Sequence, residues 1–140
     1  MTAATLPLVA ERNQPFLDTV EFRGLDLTGG TFKMELRQYR GLAAVGSPIL
    51  ALANATAGSQ GLSVAVSVDG AGMPTSVLTI QIDKSTIDAI QPFTVTAGVP
   101  NRSVGKIDLT LAYDLKIAAT GIPEQRAVEG SFTIHEGVTP

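Results

Sequence analysis

The sequence predicts an all-β protein: a two-sheet antiparallel β-sandwich of about seven or eight strands with one short helical turn near residues 85–91. Apolar residues recur at every second position over most of the chain, which is the period of a strand with one buried face. Clusters of Gly, Pro, Asn and Asp separate these segments as turns do. Short strands joined by such turns, with almost no helical periodicity, favour a sandwich over a small barrel.

Five segments show the alternation most clearly. Residues 62–68 place a leucine and three valines at alternate positions, and residues 76–82 repeat the pattern after a turn-rich stretch. These two segments are predicted to form a hairpin. Residues 31–40 also alternate, and residues 107–117, the longest unbroken run, are expected to be a central strand. Residues 128–136 follow that run after a loop and are expected to complete a second hairpin.

Other segments depart from regular alternation. The apolar positions change register after Gly24, which predicts a bulge or kink there. Ser85, with Asp88 three residues further on, has the spacing of a helix cap and predicts a short helix. Residues 42–61 are rich in Ala, Gly, Ser and Asn, and we expect them to be partly loop with a short strand over residues 48–53.

The composition fits one folded domain and argues against several kinds of partner. The chain of 140 residues is 44% hydrophobic and 16% charged, which is too apolar for a disordered protein. Cysteine is absent, so disulfides and thiolate metal sites are excluded. The net charge is -3 and basic residues do not cluster, so we expect no nucleic-acid partner. The apolar stretches are too short for a membrane helix, so we expect no membrane contact.

The N-terminal segment is interpreted as an arm ahead of a single domain. We expect residues 1–14 to form the arm and residues 15–140 to form the sandwich. The first residues lack the basic and apolar regions of a secretory signal, so the arm is expected to be retained. Leu6, Leu8 and Val9 give the arm an apolar stretch suited to docking in the groove of a neighbouring molecule.

Candidate catalytic groups are sparse, and we predict that the protein is not an enzyme and binds no cofactor. His135 is the single histidine, but it lies on the polar face of its strand and is interpreted as a surface residue. Asp108 and Asp114 fit solvated strand faces better than a glycosidase carboxylate pair. Asp69 precedes glycines and reads as a turn residue rather than a calcium ligand. Residues 98–107 imitate a phosphate-binding loop, but their glycines stand too far apart.

The alternative function is a carbohydrate-binding or host-surface-binding β-sandwich module. Such modules usually present exposed aromatic rings on which sugars stack. The chain has no Trp, and most of its Phe and Tyr residues fall on the inward face of their strands. Tyr39 is the strand residue whose ring is expected to be free. This function requires a pocket with converging polar groups beside Tyr39 or in the turn at residues 69–75.

Three stretches of turn and strand stand out in the first and last thirds of the chain. Residues 24–34 contain the turn "DLTG" followed by an alternating strand, and residues 105–115 contain a Tyr-Asp-Leu strand. Residues 130–134 read Gly-Ser-Phe-Thr-Ile, and Gly-Val-Thr follows at residues 137–139. Together these stretches resemble small structural proteins of tailed phages and prophages, including the N-terminal sandwich domain of baseplate upper proteins, which hold receptor-binding proteins.

The resemblance implies a virion structural protein of a tailed phage or phage-like particle. It would be an assembly or adaptor module of the tail, baseplate, neck or head fibre attachment, made in the host cytoplasm and located in the virion. Other virion proteins are the expected partners, and a homo-oligomer is expected. Edge strands offer unpaired backbone groups to a neighbour's strand, which gives such assembly a physical basis. The candidate partner-binding residues are Leu6, Leu8, Val9 and Tyr39.

Overall fold

A computed structural model describes residues 3–40, 43–90 and 108–135 of the protein. These residues form nine strands and one helix in two sheets, so the all-β sandwich predicted from the sequence is confirmed. The strands are β1 (Ala4–Thr5), β2 (Leu8–Glu11), β3 (Phe16–Arg23), β4 (Thr31–Arg40), β5 (Ala43–Ala53), β6 (Gly61–Val68), β7 (Pro74–Ile82), β8 (Leu109–Ala119) and β9 (Ile122–His135). Helix α1 (Lys84–Ala89) lies between β7 and β8 in the chain.

The two sheets have unequal widths. The larger sheet has six strands. Five of them follow the order β1-β9-β8-β4-β5, and the sixth, β2, pairs with β9 on the same side as β1 but further along the strand. The smaller sheet has three strands, in the order β3-β7-β6. All pairings are antiparallel except those of β1 and β2 with β9, which are parallel. Within the described residues, the chain passes from one sheet to the other between β2 and β3, between β3 and β4, between β5 and β6, and between β7 and β8.

The core lies between the sheets and is built by alternation. On β8 the odd-numbered residues are buried, and on β7 the even-numbered ones are, as the sequence predicted. Phe16 of the smaller sheet contacts Phe132 of the larger one edge to face, with ring centroids 5.0 Å apart. The largest fully buried side chains are Phe132, Leu27, Met34, Leu36, Leu62, Leu78, Ile80, Ile82, Ile87, Leu111, Leu115 and Ile117.

Both predicted hairpins are present, formed by β6 with β7 and by β8 with β9. Several boundaries differ from the prediction. Gly24 does not form a bulge within a strand: β3 ends at Arg23, and Gly24 turns the chain with a φ of 81°. Strand β5 is longer than expected because residues 43–45 also pair with β4, beyond a register shift between Leu36 and Gln38. Strand β9 begins at Ile122, ahead of the expected start.

Helix α1 occupies most of the predicted helical turn, although residue 91 lies outside the described residues. Asp83 is its N-cap and makes no side-chain capping hydrogen bond, so the predicted cap at Ser85 is wrong. Ile87 is fully buried and Ile90 is nearly so. The helix therefore contributes to the core through one apolar face.

A polar corner connects the turn between β3 and β4 to β7. The buried Ser76 hydroxyl donates a hydrogen bond to the Leu25 carbonyl at 2.7 Å and accepts one from the Leu27 N–H at 3.0 Å. Asp26 accepts hydrogen bonds from the N–H and the hydroxyl of Thr28 at 3.0 and 2.6 Å, which closes the "DLTG" turn. The Leu25 carbonyl and the Leu27 N–H are both hydrogen-bonded to Ser76, so neither is left unpaired inside the fold. The Leu27 side chain is fully buried in the core.

We expect Ser76→Ala to lower the free energy of unfolding by about 1–3 kcal/mol, because the Leu25 carbonyl and the Leu27 N–H would lose their partner inside the fold. Urea denaturation followed by circular dichroism measures this change. Ser67→Ala, at an exposed position in β6, serves as the control and is expected to stay within about 0.5 kcal/mol of the unchanged protein. Equal destabilisation by the two substitutions would contradict the role assigned to Ser76.

Candidate interaction surfaces

The N-terminal segment belongs to the larger sheet and does not stand apart from it. Strand β2 pairs in parallel with β9, with Leu8 opposite Phe132. Leu8 and Ala10 are each 2% exposed and contribute to the core. The predicted boundary between arm and domain at residues 14 and 15 is therefore corrected, since residues 4–11 complete the sheet. Of the apolar residues that suggested docking in a neighbour's groove, Leu8 fills the edge of the protein's own core.

A tyrosine and a glycine hold this segment in place at Leu6. Tyr113 on β8 lies opposite Gly130 on β9, and its hydroxyl donates a hydrogen bond to the Leu6 carbonyl with an O···O distance of 2.5 Å. A Cβ atom at Gly130 would lie only 2.6 Å from the Leu6 oxygen. Glycine at this position thus allows the backbone of Leu6 to approach β9 closely, and the Tyr113 side chain covers the place where Gly130 has no side chain.

The environment of Tyr113 keeps its hydroxyl protonated. Burial between the sheets and, to a smaller extent, the negative charge of Asp18 together raise the pKa of Tyr113 from 10.0 to about 12. Asp18 stands on the inner face of β3, in register with Ile80 of β7. The phenol therefore remains a hydrogen-bond donor to Leu6 at alkaline pH values where an ordinary tyrosine has begun to ionise.

Arg12 fixes the other end of the segment, where β2 turns toward β3. Its side chain is 6% exposed, and Nη1 donates hydrogen bonds to the carbonyls of Ile87 and Ile90, the latter at 3.0 Å. These carbonyls lie at the C-terminal end of α1, where the Ile87 carbonyl also accepts a hydrogen bond from the Ile90 N–H at 3.2 Å. The next residue, Asn13, donates its backbone N–H to Asp88 at 2.9 Å. The segment is thus anchored to both the sheet and the helix.

The four predicted partner-binding residues lie in different environments. Leu8 is buried in the protein's own core, so it is not presented to a neighbour. Leu6 and Val9 are 37% and 50% exposed and border the outer side of the segment. The backbone of Tyr39 lies in β4 opposite Ala44, but its side chain lies outside what the structure describes. Its proposed role as a free aromatic ring therefore stays a prediction.

His135 lies on the outer face of the larger sheet between two carboxylates. Its Nδ1 is 3.3 Å from Oε1 of Glu11, and its Nε2 is 3.6 Å from Oδ2 of Asp108. Because the carboxylates approach opposite ring nitrogens, they do not converge on one point. Within the described residues, no group of three or more His, Cys, Asp or Glu side chains could hold a metal ion. His135 thus links Glu11, the last residue of β2, to Asp108, the residue just before β8.

Charge is distributed unequally over the sandwich. The outer face of the larger sheet carries ion pairs between Arg37 and Glu35 at 2.9 Å and from Arg126 to Asp114 and Glu129 at 3.4 and 3.1 Å. Strands β6 and β7 of the smaller sheet contain no charged residue at all. The larger sheet therefore has a solvated outer face, and the β6–β7 hairpin is neutral.

The edges of the two sheets also differ in their protection. Charged side chains and prolines discourage an edge strand from pairing with another strand. On β3, the inward-facing Asp18 accepts a hydrogen bond at 2.8 Å from the N–H of Thr19. The edge formed by β1 and β2 contains Pro7 and Glu11, and β5 contains Pro48. Strand β6, the remaining edge of the described sheets, has neither charge nor proline.

A shallow groove of about 290 Å³ opens beside the start of β4 and is lined in part by Phe32, Asn54 and Ser63. It lies away from the turn at residues 69–75, which together with the surroundings of Tyr39 is where the sugar-binding alternative requires a pocket. The Asn54 side chain accepts a hydrogen bond from the Phe32 N–H at 2.7 Å and donates one to the Gly30 carbonyl at 2.8 Å. Phe32 is 2% exposed, so its ring offers no stacking surface to a sugar in this groove.

Comparison of the chain with protein-family models and with curated proteins gives no match. Across the described ranges, no helix has the length and apolar character needed to cross a bilayer. The fold and its surfaces define an all-β sandwich whose distinctive features are its strand edges.

Removing the Tyr113 hydroxyl is expected to loosen the N-terminal segment. Tyr113→Phe should lower the free energy of unfolding by about 1 kcal/mol, because the Leu6 carbonyl loses its hydrogen bond. Amide hydrogen exchange in residues 4–11 should become faster, while exchange in β7 stays unchanged and serves as the internal control. Gly130→Ala should increase exchange in the same residues still more, since its Cβ would clash with the Leu6 backbone. Unchanged exchange in residues 4–11 of both variants would contradict this anchoring.

The raised pKa of Tyr113 predicts a loss of stability in alkaline solution. As the pH rises from 10.0 toward about 12, the phenol ionises in the unfolded chain before it does so in the folded protein. Ionisation therefore favours the unfolded chain, and the free energy of unfolding should fall across this window. Tyr113→Phe should show a smaller decline, measured by urea denaturation at several pH values. Parallel declines in the two proteins would show that Tyr113 makes no such contribution.

Proposed function

We propose that the protein is a virion structural protein of a tailed phage or phage-like particle, serving as an assembly or adaptor module of the tail, baseplate, neck or head fibre attachment. The observation that carries the proposal is that the stretches resembling phage structural proteins are connected parts of one framework. The "DLTG" turn packs on β7 through Ser76, and the other two stretches supply the first seven residues of β8 and residues 130–134 of β9, which pair with each other. These strands in turn hold the N-terminal segment through Tyr113 and Gly130.

The N-terminal edge supplies the contact with neighbouring virion proteins. Leu6 and Val9 are exposed apolar side chains on a segment whose position is fixed by Tyr113 and Arg12. A neighbour's strand added beside β2 would gain backbone hydrogen bonds, and these side chains would give the contact its specificity. Leu8 acts indirectly, because its burial keeps the edge in register with β9. The function is binding alone, without a chemical step, a cofactor or a nucleic-acid or membrane partner.

A carbohydrate-binding or host-surface-binding function has less support. The groove beside β4 is lined by an amide already engaged within the fold and by a ring that is almost fully buried. Sugar sites usually combine exposed aromatic surface with converging polar groups. A glycan array probed with the whole protein distinguishes the two functions, and specific retention of one glycan class would favour the alternative.

The proposed function predicts that the protein is a component of purified particles. Mass spectrometry of gradient-purified particles should detect its peptides in a constant ratio to those of other structural proteins. Its absence from such particles would overturn the virion assignment.

The N-terminal edge is tested separately by exposed-residue variants. Val9→Asp should reduce incorporation into particles because it places a charge in the apolar contact. Leu17→Asp, at a 66% exposed position on the smaller sheet, is the control and should be incorporated normally. Normal incorporation of Val9→Asp would show that the contact lies elsewhere on the protein.

A further inference from the structure

We propose that β6 is the surface through which two copies of this chain pair edge to edge, joining their three-stranded sheets into one continuous sheet. Within the described residues, β6 has β7 on one side, and on the other side the segment at residues 53–55 approaches only its beginning, at Gly61 and Leu62. The inference goes beyond the proposed virion role, because a self-pairing edge dimerises the protein whether or not a particle is present.

The composition of β6 is unusual for an edge strand. It consists only of Gly, Leu, Ser, Val and Ala, so no charge or proline opposes the addition of another strand. The opposite edge of the same sheet, β3, is blocked by Asp18, which lies on the inner face and bonds the N–H of Thr19. One edge of a single sheet is thus protected and the other is open. An open edge of this composition indicates a surface that is covered by another strand in the assembled protein.

The available backbone groups of β6 belong to its even-numbered residues. The Leu62 carbonyl accepts a hydrogen bond from the Ala55 N–H at 2.9 Å, so it points away from β7. Backbone groups of an antiparallel strand alternate in direction from one residue to the next. Val64, Val66 and Val68 therefore also present their N–H and C=O groups to the outer side. No described strand pairs with them there.

Val64, Val66 and Val68 are spaced symmetrically about Val66, so an antiparallel second copy of β6 would place valine opposite valine. A two-fold axis at Val66 places this residue opposite its own copy and Val64 opposite Val68 of the second copy. The intervening Ala65 then faces Ser67 of the second copy, and both side chains are small enough for close approach. This register forms about six backbone hydrogen bonds between the copies. Self-complementarity identifies the occupant as a second copy of this chain.

Burial supports the same register. Val68 is 64% exposed, and Val64 and Val66 are half-buried on the inner face of β6. The second copy's valines would extend this apolar row and cover it. A pair centred on Ala65 instead would direct Val68 of the second copy to Leu62, where Ala55 already occupies the edge. The geometry therefore favours the pair centred on Val66.

Cysteine cross-linking tests this register directly, because the chain has no cysteine of its own. In the proposed pair, the Cα atoms of position 65 and of position 67 in the second copy lie about 4.5 Å apart, within the range of a disulfide. A mixture of the Ala65→Cys and Ser67→Cys proteins should form a mixed disulfide on mild oxidation. Each variant alone should form little, because its own two copies stand on a diagonal of roughly 7–8 Å. Both positions are exposed, so the fold should be retained.

Sedimentation equilibrium tests the dimer itself. The unchanged protein should dimerise reversibly, and Val66→Lys should weaken dimerisation by about tenfold or more, because two ammonium groups meet at the two-fold axis. Val20→Lys is the matched control: Val20 is also half-buried on the inner face of an edge strand of the smaller sheet, and this variant should still dimerise. Circular dichroism verifies that both variants are folded.

Three results would overturn the proposal: an unchanged protein that stays monomeric up to its solubility limit, equal dimerisation of the two lysine variants, or no disulfide in the cysteine mixture. If Val66→Lys fails to fold, the cysteine experiment decides alone. Dimerisation of a protein that is absent from particles would refute the virion role and leave this inference standing.

Discussion

The structure depends on the burial of alternating side chains between two sheets of unequal width. Strands β7 and β8 supply most of the fully buried aliphatic side chains, and all other strands pack around them. The larger sheet has six strands and the smaller one has three, so the smaller sheet covers only part of the inner face of the larger sheet. The N-terminal segment closes one side of this opening with Leu8 and Ala10. The edges, more than the faces, therefore determine which contacts remain available to other molecules.

The period of two predicted the strands and their buried faces because it is a local property of the chain. It did not predict where β1 and β2 lie, since their parallel partner β9 is more than a hundred residues away and sequence spacing carries no pairing information. One signal was present: Gly130 interrupts an otherwise regular strand, and an isolated glycine in a strand marks the close approach of another backbone. Arg12 gave no such signal, because its burial depends on the carbonyls of α1.

The interaction surfaces were predictable only in part for the same reason. The exposure of Val9 agrees with the role assigned to it, whereas Leu8, one position earlier, points into the core. In a strand, neighbouring residues face opposite sides, so a short apolar run cannot be assigned to a surface until its register is known. Likewise, the valines of β6 were recognisable as one face of a strand, but only the topology shows that this strand lies at an edge.

The two proposed contacts differ in how they combine strength with specificity. Pairing at β6 involves few residues with small side chains, and association carries a large entropic cost, so this contact should be weak on its own. The contact at Leu6 and Val9 relies on a segment already anchored by Tyr113 and Arg12, so little conformational entropy is lost on binding. When both surfaces are engaged in one assembly, each contact raises the effective concentration for the other. Under the two proposals, contacts that are each weak would combine into a stable assembly.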